Sequence, residues 1–172
     1  MANEEGGGVE TLTVHVPSKP EQYYYIKNSV YVLAVDGDIN RPDQQLTGTR
    51  IVIKEKLRDR VLADSQMWYL EDAGDGYCYI VSKLNGFVLD IDGAKWTVST
   101  PLILWPKNSP PTVIANQKWK IDVKKGAIVS QLNGQVLHVQ QPGKPGSPVI
   151  MMGRKGIVED AQPQMWEFES IS

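Results

Sequence analysis

The chain has 172 residues, 41% hydrophobic and 22% charged, with a formal net charge of −2. That suits one globular domain with a short tail, and it leaves no surplus of cations to neutralise a row of phosphates, so a broad nucleic-acid footprint is not expected. A single cysteine, Cys78, rules out an intramolecular disulfide.

The N-terminus, Met1 to Gly8, is Gly-rich and acidic, with neither the basic region nor the apolar core of a signal peptide. Residues 1–20 are expected to form a disordered tail carrying at most one short strand, Thr11 to Val16, where polar and apolar residues alternate. His15 falls on its polar side. No run reaches the roughly 20 apolar residues of a membrane span. A cytoplasmic protein is the expectation, with leaderless export left open.

From residue 21 the chain falls into three similar lines, about 21–72, 73–123 and 124–172. The first runs from Tyr23-Tyr24-Tyr25 through Val32 to Val35 and ends at Gln66-Met67-Trp68. The second runs from Tyr77-Cys78-Tyr79 through Leu84-Asn85-Gly86 to Gln117-Lys118-Trp119, and the third through Leu132-Asn133-Gly134 to Gln164-Met165-Trp166. The tryptophans at 68, 119 and 166 are 51 and 47 residues apart, and the Leu-Asn-Gly turns at 84 and 132 are 48 apart. A fixed period of this size marks a repeat architecture. The apolar runs within each line are short, β-branched and punctuated by Gly, Pro, Asn and Asp, which predicts several strands per repeat and an all-β fold. Three repeats without polar capping repeats suit a closed threefold arrangement.

Smaller features have structural readings. The mixed charges of Lys54 to Arg60 read as a solvated face, Glu55 to Ala63 as at most a helical turn, Cys78 as a buried thiol, and Met151-Met152 as packing. Tryptophans 68, 119 and 166 read as core. The glutamine two residues before each is suited to cap unpaired backbone groups.

Three Gln-x-Trp motifs in this register, with Gly-Phe-Val-Leu-Asp-Ile and Leu-Trp between them, resemble the ricin B-type (R-type) lectins. The resemblance spans about residues 22–172. It implies a β-trefoil in which each subdomain can hold one shallow sugar site, built from an Asp, a facing aromatic and an Asn before the Gln-x-Trp. On the middle repeat these positions are Asp90, Trp105 and Asn116, with Gln117 alongside and Gly93 letting the loop approach the sugar; Ile103 stands where a polar residue is often found. A carboxylate accepts from neighbouring hydroxyls, an indole covers the C–H face of a pyranose, and an amide both donates and accepts. The matching positions are Ala34, Lys54 and Ser65 in the first repeat, and His138, Met152 and Pro163 in the third. Neither set offers a carboxylate, a ring and an amide, so one intact site is expected.

The resemblance implies a non-enzymatic lectin for glycans of the galactose or N-acetylgalactosamine type, with no cofactor or metal and with homodimerisation possible. The alternative is a trefoil that binds protein, such as a protease inhibitor or cytoskeletal binder, with a remnant sugar site. No nucleophile–base pairing, phosphate loop or metal-ligand spacing is visible.

Overall fold

The computed structural model describes residues 22–37, 46–59, 62–156 and 160–172. The expected tail, its strand at Thr11 to Val16, and His15 lie outside them.

Among the described residues, twelve strands come in three sets of four. The first set is β1 (Tyr23–Asn28), β2 (Tyr31–Val35), β3 (Ile51–Glu55) and β4 (Trp68–Gly74). The second is β5 (Tyr77–Ser82), β6 (Val88–Ile91), β7 (Leu102–Trp105) and β8 (Trp119–Asp122). The third is β9 (Ala127–Ser130), β10 (Val136–Val139), β11 (Val149–Met152) and β12 (Glu167–Ile171). The described residues contain short 3-10 turns but no α-helix.

The outer strands of each set build a barrel. β12 pairs with β1, β1 with β4, β4 with β5, β5 with β8 and β8 with β9, all antiparallel. The ring closes where the Trp166 N–H donates to the Gly126 carbonyl at 2.7 Å. Closure leaves no barrel edge free to pair with another chain. The inner strands form three hairpins, β2–β3, β6–β7 and β10–β11, which cover one end of the barrel. The hairpins are tied to one another through Gly48 N to Leu104 O, Gly146 N to Ile53 O, and Met151 N to Thr100 O. The fold is a β-trefoil.

The Leu-Asn-Gly segments make the turns between β5 and β6 and between β9 and β10. In each, the Asn side chain accepts from the amide two residues on (Asn85 from Phe87, Asn133 from Gln135), and the glycine takes a positive φ, 79° at Gly86 and 73° at Gly134. These are local devices that any chain with this tripeptide can use, which is why they were readable in sequence.

All three repeat tryptophans are buried, Trp68 and Trp119 completely. Each indole N–H donates to the carbonyl of an inner-strand leucine: Trp68 to Leu33, Trp119 to Leu89 and Trp166 to Leu137. The glutamines act identically in the three repeats. Gln66, Gln117 and Gln164 each donate to one carbonyl (Glu55, Pro106, Gly153) and accept from the amide two residues after it (Leu57, Asn108, Lys155). One buried amide thus pins the chain as it leaves each cap hairpin.

Glu55 to Ala63 departs from the expected helical turn. Glu55 ends β3, Lys56 to Asp59 are irregular, and the 3-10 turn comes later, at Leu62–Gln66. The Gln66 amide, bonded to both Glu55 and Leu57, holds that segment extended. Arg60 and Val61 are outside the described residues, while Leu57 and Leu62 are exposed. Cys78 is buried, and burial pushes its thiol up to about 12, so it stays protonated.

Candidate carbohydrate-binding site

Strand β6 places Leu89 and Ile91 in the core and turns Asp90 toward an open cavity of about 360 Å³. Asp90 pairs with Ile103 across the hairpin, and Trp105 ends β7 opposite Val88. Beyond β6, Gly93 adopts φ 67° in the 3-10 turn Asp92–Ala94, bending the chain around the rim of the cavity. The opposite wall is the segment from Pro106 to Ile114, returning to the short turn Ala115–Gln117. Asp90, Gly93, Trp105 and Asn116 therefore line one cavity, although they lie up to 26 residues apart in the chain.

Asp90 forms the floor. It is only 3% exposed, and amides hold both of its oxygens. Asn116 Nδ2 donates to one at 3.0 Å and Gln117 Nε2 to the other at 2.7 Å. Burial nevertheless raises its pKa to about 6; the two amide hydrogen bonds oppose the shift, and the neighbouring Asp92 charge adds to it. At neutral pH Asp90 is a carboxylate in a partly dry site, where its remaining lone pairs are strong acceptors.

Asn116 is buried, at 4% exposure, and its orientation is set by Asp90, since only its NH₂ can face the carboxylate. Its Oδ1 is therefore directed elsewhere, and it has no hydrogen-bond partner. A buried orphan acceptor costs about 1–3 kcal/mol unless a donor reaches it. Trp105 is the counterpart: 40% of a large indole stays open to solvent on the cavity wall, beside Gly48. Gly48 has φ 80°, and a Cβ there would stand 3.8 Å from the indole ring.

Gln117 does not line the cavity. It is fully buried behind Asp90, and its amide is spent on Asp90, Pro106 and Asn108. It positions the carboxylate and the wall, and its reach ends there.

Sequence reasoning missed Asp92, Asn108, Thr112 and Val113, which also line the cavity. Asp92 could have been found, because it shares the two-residue alternation of β6 with Asp90. The others could not. Asn108 faces the cavity only because its backbone N–H is held by Gln117 and its Nδ2 donates to the Val113 carbonyl.

The register confirms the positions equivalent to Asp90. Ala34 pairs with Val52, and His138 with Ile150, as Asp90 does with Ile103. Ala34 is buried, and Lys54 in the position of Trp105 pairs with Asp36 at 3.3 Å. His138 is half-buried and lies 3.2 Å through Nδ1 from Gln164 Nε2. Burial, with the charge of Lys155, lowers its pKa and keeps it neutral.

The sequence matches the ricin-type beta-trefoil lectin domain-like family over residues 12–105. The chain belongs to that family. Its fold is similar to a designed threefold-symmetric protein, ThreeFoil, at 24% identity and TM-score 0.70 over 87% of this chain and 99% of that one. It is similar to an exo-β-1,3-galactanase from Clostridium thermocellum at 26% identity and TM-score 0.69, covering 91% of this chain and 31% of the enzyme. It is also similar to the C-terminal half of an earthworm R-type lectin, solved with GalNAc, at 21% identity and TM-score 0.63 over 87% of this chain and 99% of the lectin half. No curated protein matches the sequence. A ricin-type lectin fold supports carbohydrate binding in general. Among the described residues no helix is long and apolar enough to cross a membrane.

Proposed function

We propose that this chain binds the terminal galactose or N-acetylgalactosamine of glycans through one site, in the middle repeat. The observation that carries the reading is the orphan Asn116 Oδ1 beside the ionised Asp90, in the cavity that the partly exposed Trp105 also lines. A hydroxyl donating to Asn116 satisfies the buried acceptor, and hydroxyls donating to Asp90 replace lost water with charge-assisted bonds. The apolar face that galactose presents can lie on Trp105, as aromatic rings favour. A cavity of about 360 Å³ suits a monosaccharide rather than a long oligosaccharide. Two similar proteins support the sugar class in the words that describe them, an earthworm lectin with GalNAc and a β-1,3-galactanase.

The function is binding rather than catalysis. Asp90, held by two amides at the bottom of the cavity, is an acceptor with no route to donate a proton to a leaving group while ionised. Turnover of a nitrophenyl galactoside by the pure protein would overturn this part.

A glycan array is the test. Terminal galactose or N-acetylgalactosamine should be retained, and Asp90→Ala or Trp105→Ala should abolish retention in protein that is still folded. Failure to retain any glycan would favour the protein-binding alternative.

A further inference from the structure

The middle cavity is rich in acceptors, two of them carboxylates, and its lining offers no cationic donor. Two carboxylates line it, Asp90 and Asp92. Asp92 is half-exposed, and its side chain has no hydrogen bond or ion pair among the described residues. Asn116 Oδ1 adds a third acceptor, buried and unpartnered. No Lys or Arg lines the cavity. Lys95 passes nearby, its stem 3.4 Å from where a Cβ on Gly93 would stand, but its ammonium pairs with neither carboxylate. Lys107 is drawn away by Glu71, at 2.7 Å. Asn108 gives one amide hydrogen to Val113, and the side-chain donors on the wall, Thr112, Trp105 and Asn108, are all neutral.

The first repeat shows what this chain does elsewhere at the same register. Asp36 stands two residues after Ala34, as Asp92 stands two after Asp90, and Lys54 neutralises it from the position of Trp105. In the middle repeat an indole replaces that lysine, so the carboxylate keeps its charge uncompensated.

We propose that the site selects hexosamines bearing a free, protonated amine over their neutral and N-acetylated counterparts, with Asp92 as the residue that discriminates. An ammonium supplies three donors and a positive charge to a cavity that has surplus acceptors and net charge −2 from its two aspartates. A hydroxyl or acetamido group at the same carbon supplies neither. The inference rests on the sugar-binding reading and narrows its ligand class.

The test is calorimetric titration of the full chain at pH 7 with galactosamine, galactose and N-acetylgalactosamine. Galactosamine should bind about tenfold tighter than galactose in ~0.05 M salt, and the ratio should shrink toward one in ~0.5 M salt as the charges are screened. Asp92→Asn should likewise bring the galactosamine-to-galactose ratio close to one. If galactosamine binds no tighter than galactose or N-acetylgalactosamine, or if its advantage survives either high salt or Asp92→Asn, the inference is overturned while the lectin reading stands. If none of the three sugars binds, both fall together.

Discussion

In the first repeat, the positions of Asp90, Asp92, Trp105 and Asn116 are taken by Ala34, Asp36, Lys54 and Ser65. Both repeats use the same register, the same buried tryptophan and the same glutamine clamp. Both leave a hollow beside the cap hairpin, and the first is the larger, about 640 Å³ against about 360 Å³. The difference lies in unsatisfied chemistry. The first hollow has Lys54, paired with the nearby Asp36, where the middle one has an indole, and is lined by Glu55, Leu57 and Leu62. The middle one keeps a buried carboxylate, a free carboxylate, an orphan acceptor and an open ring. A hollow becomes a site when its groups lack partners that a ligand can supply, and volume alone does not decide that.

The shared scaffold is the place for the largest effect. Trp68→Ala and Trp119→Ala should each destabilise the fold by about 3–5 kcal/mol, since both indoles are fully buried and hydrogen-bonded. Chemical denaturation of the two variants measures it. A large loss in one and a negligible loss in the other would show that the repeats do not carry equal structural weight.

The next effect should appear in one repeat only. Trp105→Ala should weaken galactose binding by at least about tenfold, on the order of 1.4 kcal/mol, with little change in melting temperature. Lys54→Ala should leave sugar binding as it was. Calorimetric titration with galactose reads both variants, because the cavity-wall tryptophan that fluorescence would follow, Trp105, is the residue removed in one of them. Equal losses in the two would erase the distinction between the hollows.

Acid should separate binding from stability. The folded-state pKa of Asp90 is raised from 3.8 to about 6. Its neutral form thus favours the fold, so its contribution to stability is fully present below the ordinary carboxylate value and is lost as pH rises through about 6. Sugar binding runs the other way, because the ligand needs the carboxylate. Affinity should fall about tenfold for each pH unit below 6. Melting curves of wild type and Asp90→Asn across pH 4–8, beside titrations at the same pH, check both signs. The orphan Oδ1 lets Asn116 flip and accept from the new amide, so Asp90→Asn should fold and melt at or above the wild-type temperature at pH 7. A variant that melts far lower would show the carboxylate to be structural.

The smallest effect is a gain. Ala34→Asp, Lys54→Trp and Ser65→Asn together should create a weak second site, because Gln66 already stands where Gln117 stands behind Asp90. Wild type should bind one sugar per chain, with a dissociation constant on the order of 1 mM, and as a monomer should fail to agglutinate cells. The triple variant should bind two. Calorimetric stoichiometry with light scattering on the same samples decides it, and two sugars on a wild-type monomer would sink the one-site reading.

Asp90, Gly93, Trp105 and Asn116 were legible through the resemblance to the ricin B-type lectins, whose site pattern, carried onto the middle repeat, names those positions; the repeated period supplied only the register. The role of Gln117 was legible only by half. Its backbone clamp follows from the motif, but that it also holds Asp90 and so stays out of the cavity depends on how closely β6 approaches the turn Ala115–Gln117. The segment after Glu55 was legible as a loop with at most a helical turn, but not the clamp on it, which comes from Gln66, nine and eleven residues away.

The sequence by itself determined the threefold repeat, the all-β fold, the three buried tryptophans and the one repeat that retains a carboxylate, a ring and an amide. The first three rest on periodicity and residue chemistry, and the last on the resemblance to the ricin B-type lectins, whose site pattern names the positions to compare. Only the tertiary structure decided that Asp36 is neutralised while Asp92 is not, that Asn116 Oδ1 is an orphan, and that Asn108 and Val113 complete the wall. Whether a charge or an acceptor is satisfied depends on which side chains meet across a hairpin or from a distant turn. Those partners come from hydrogen bonds and ion pairs closed between segments that lie tens of residues apart in the chain.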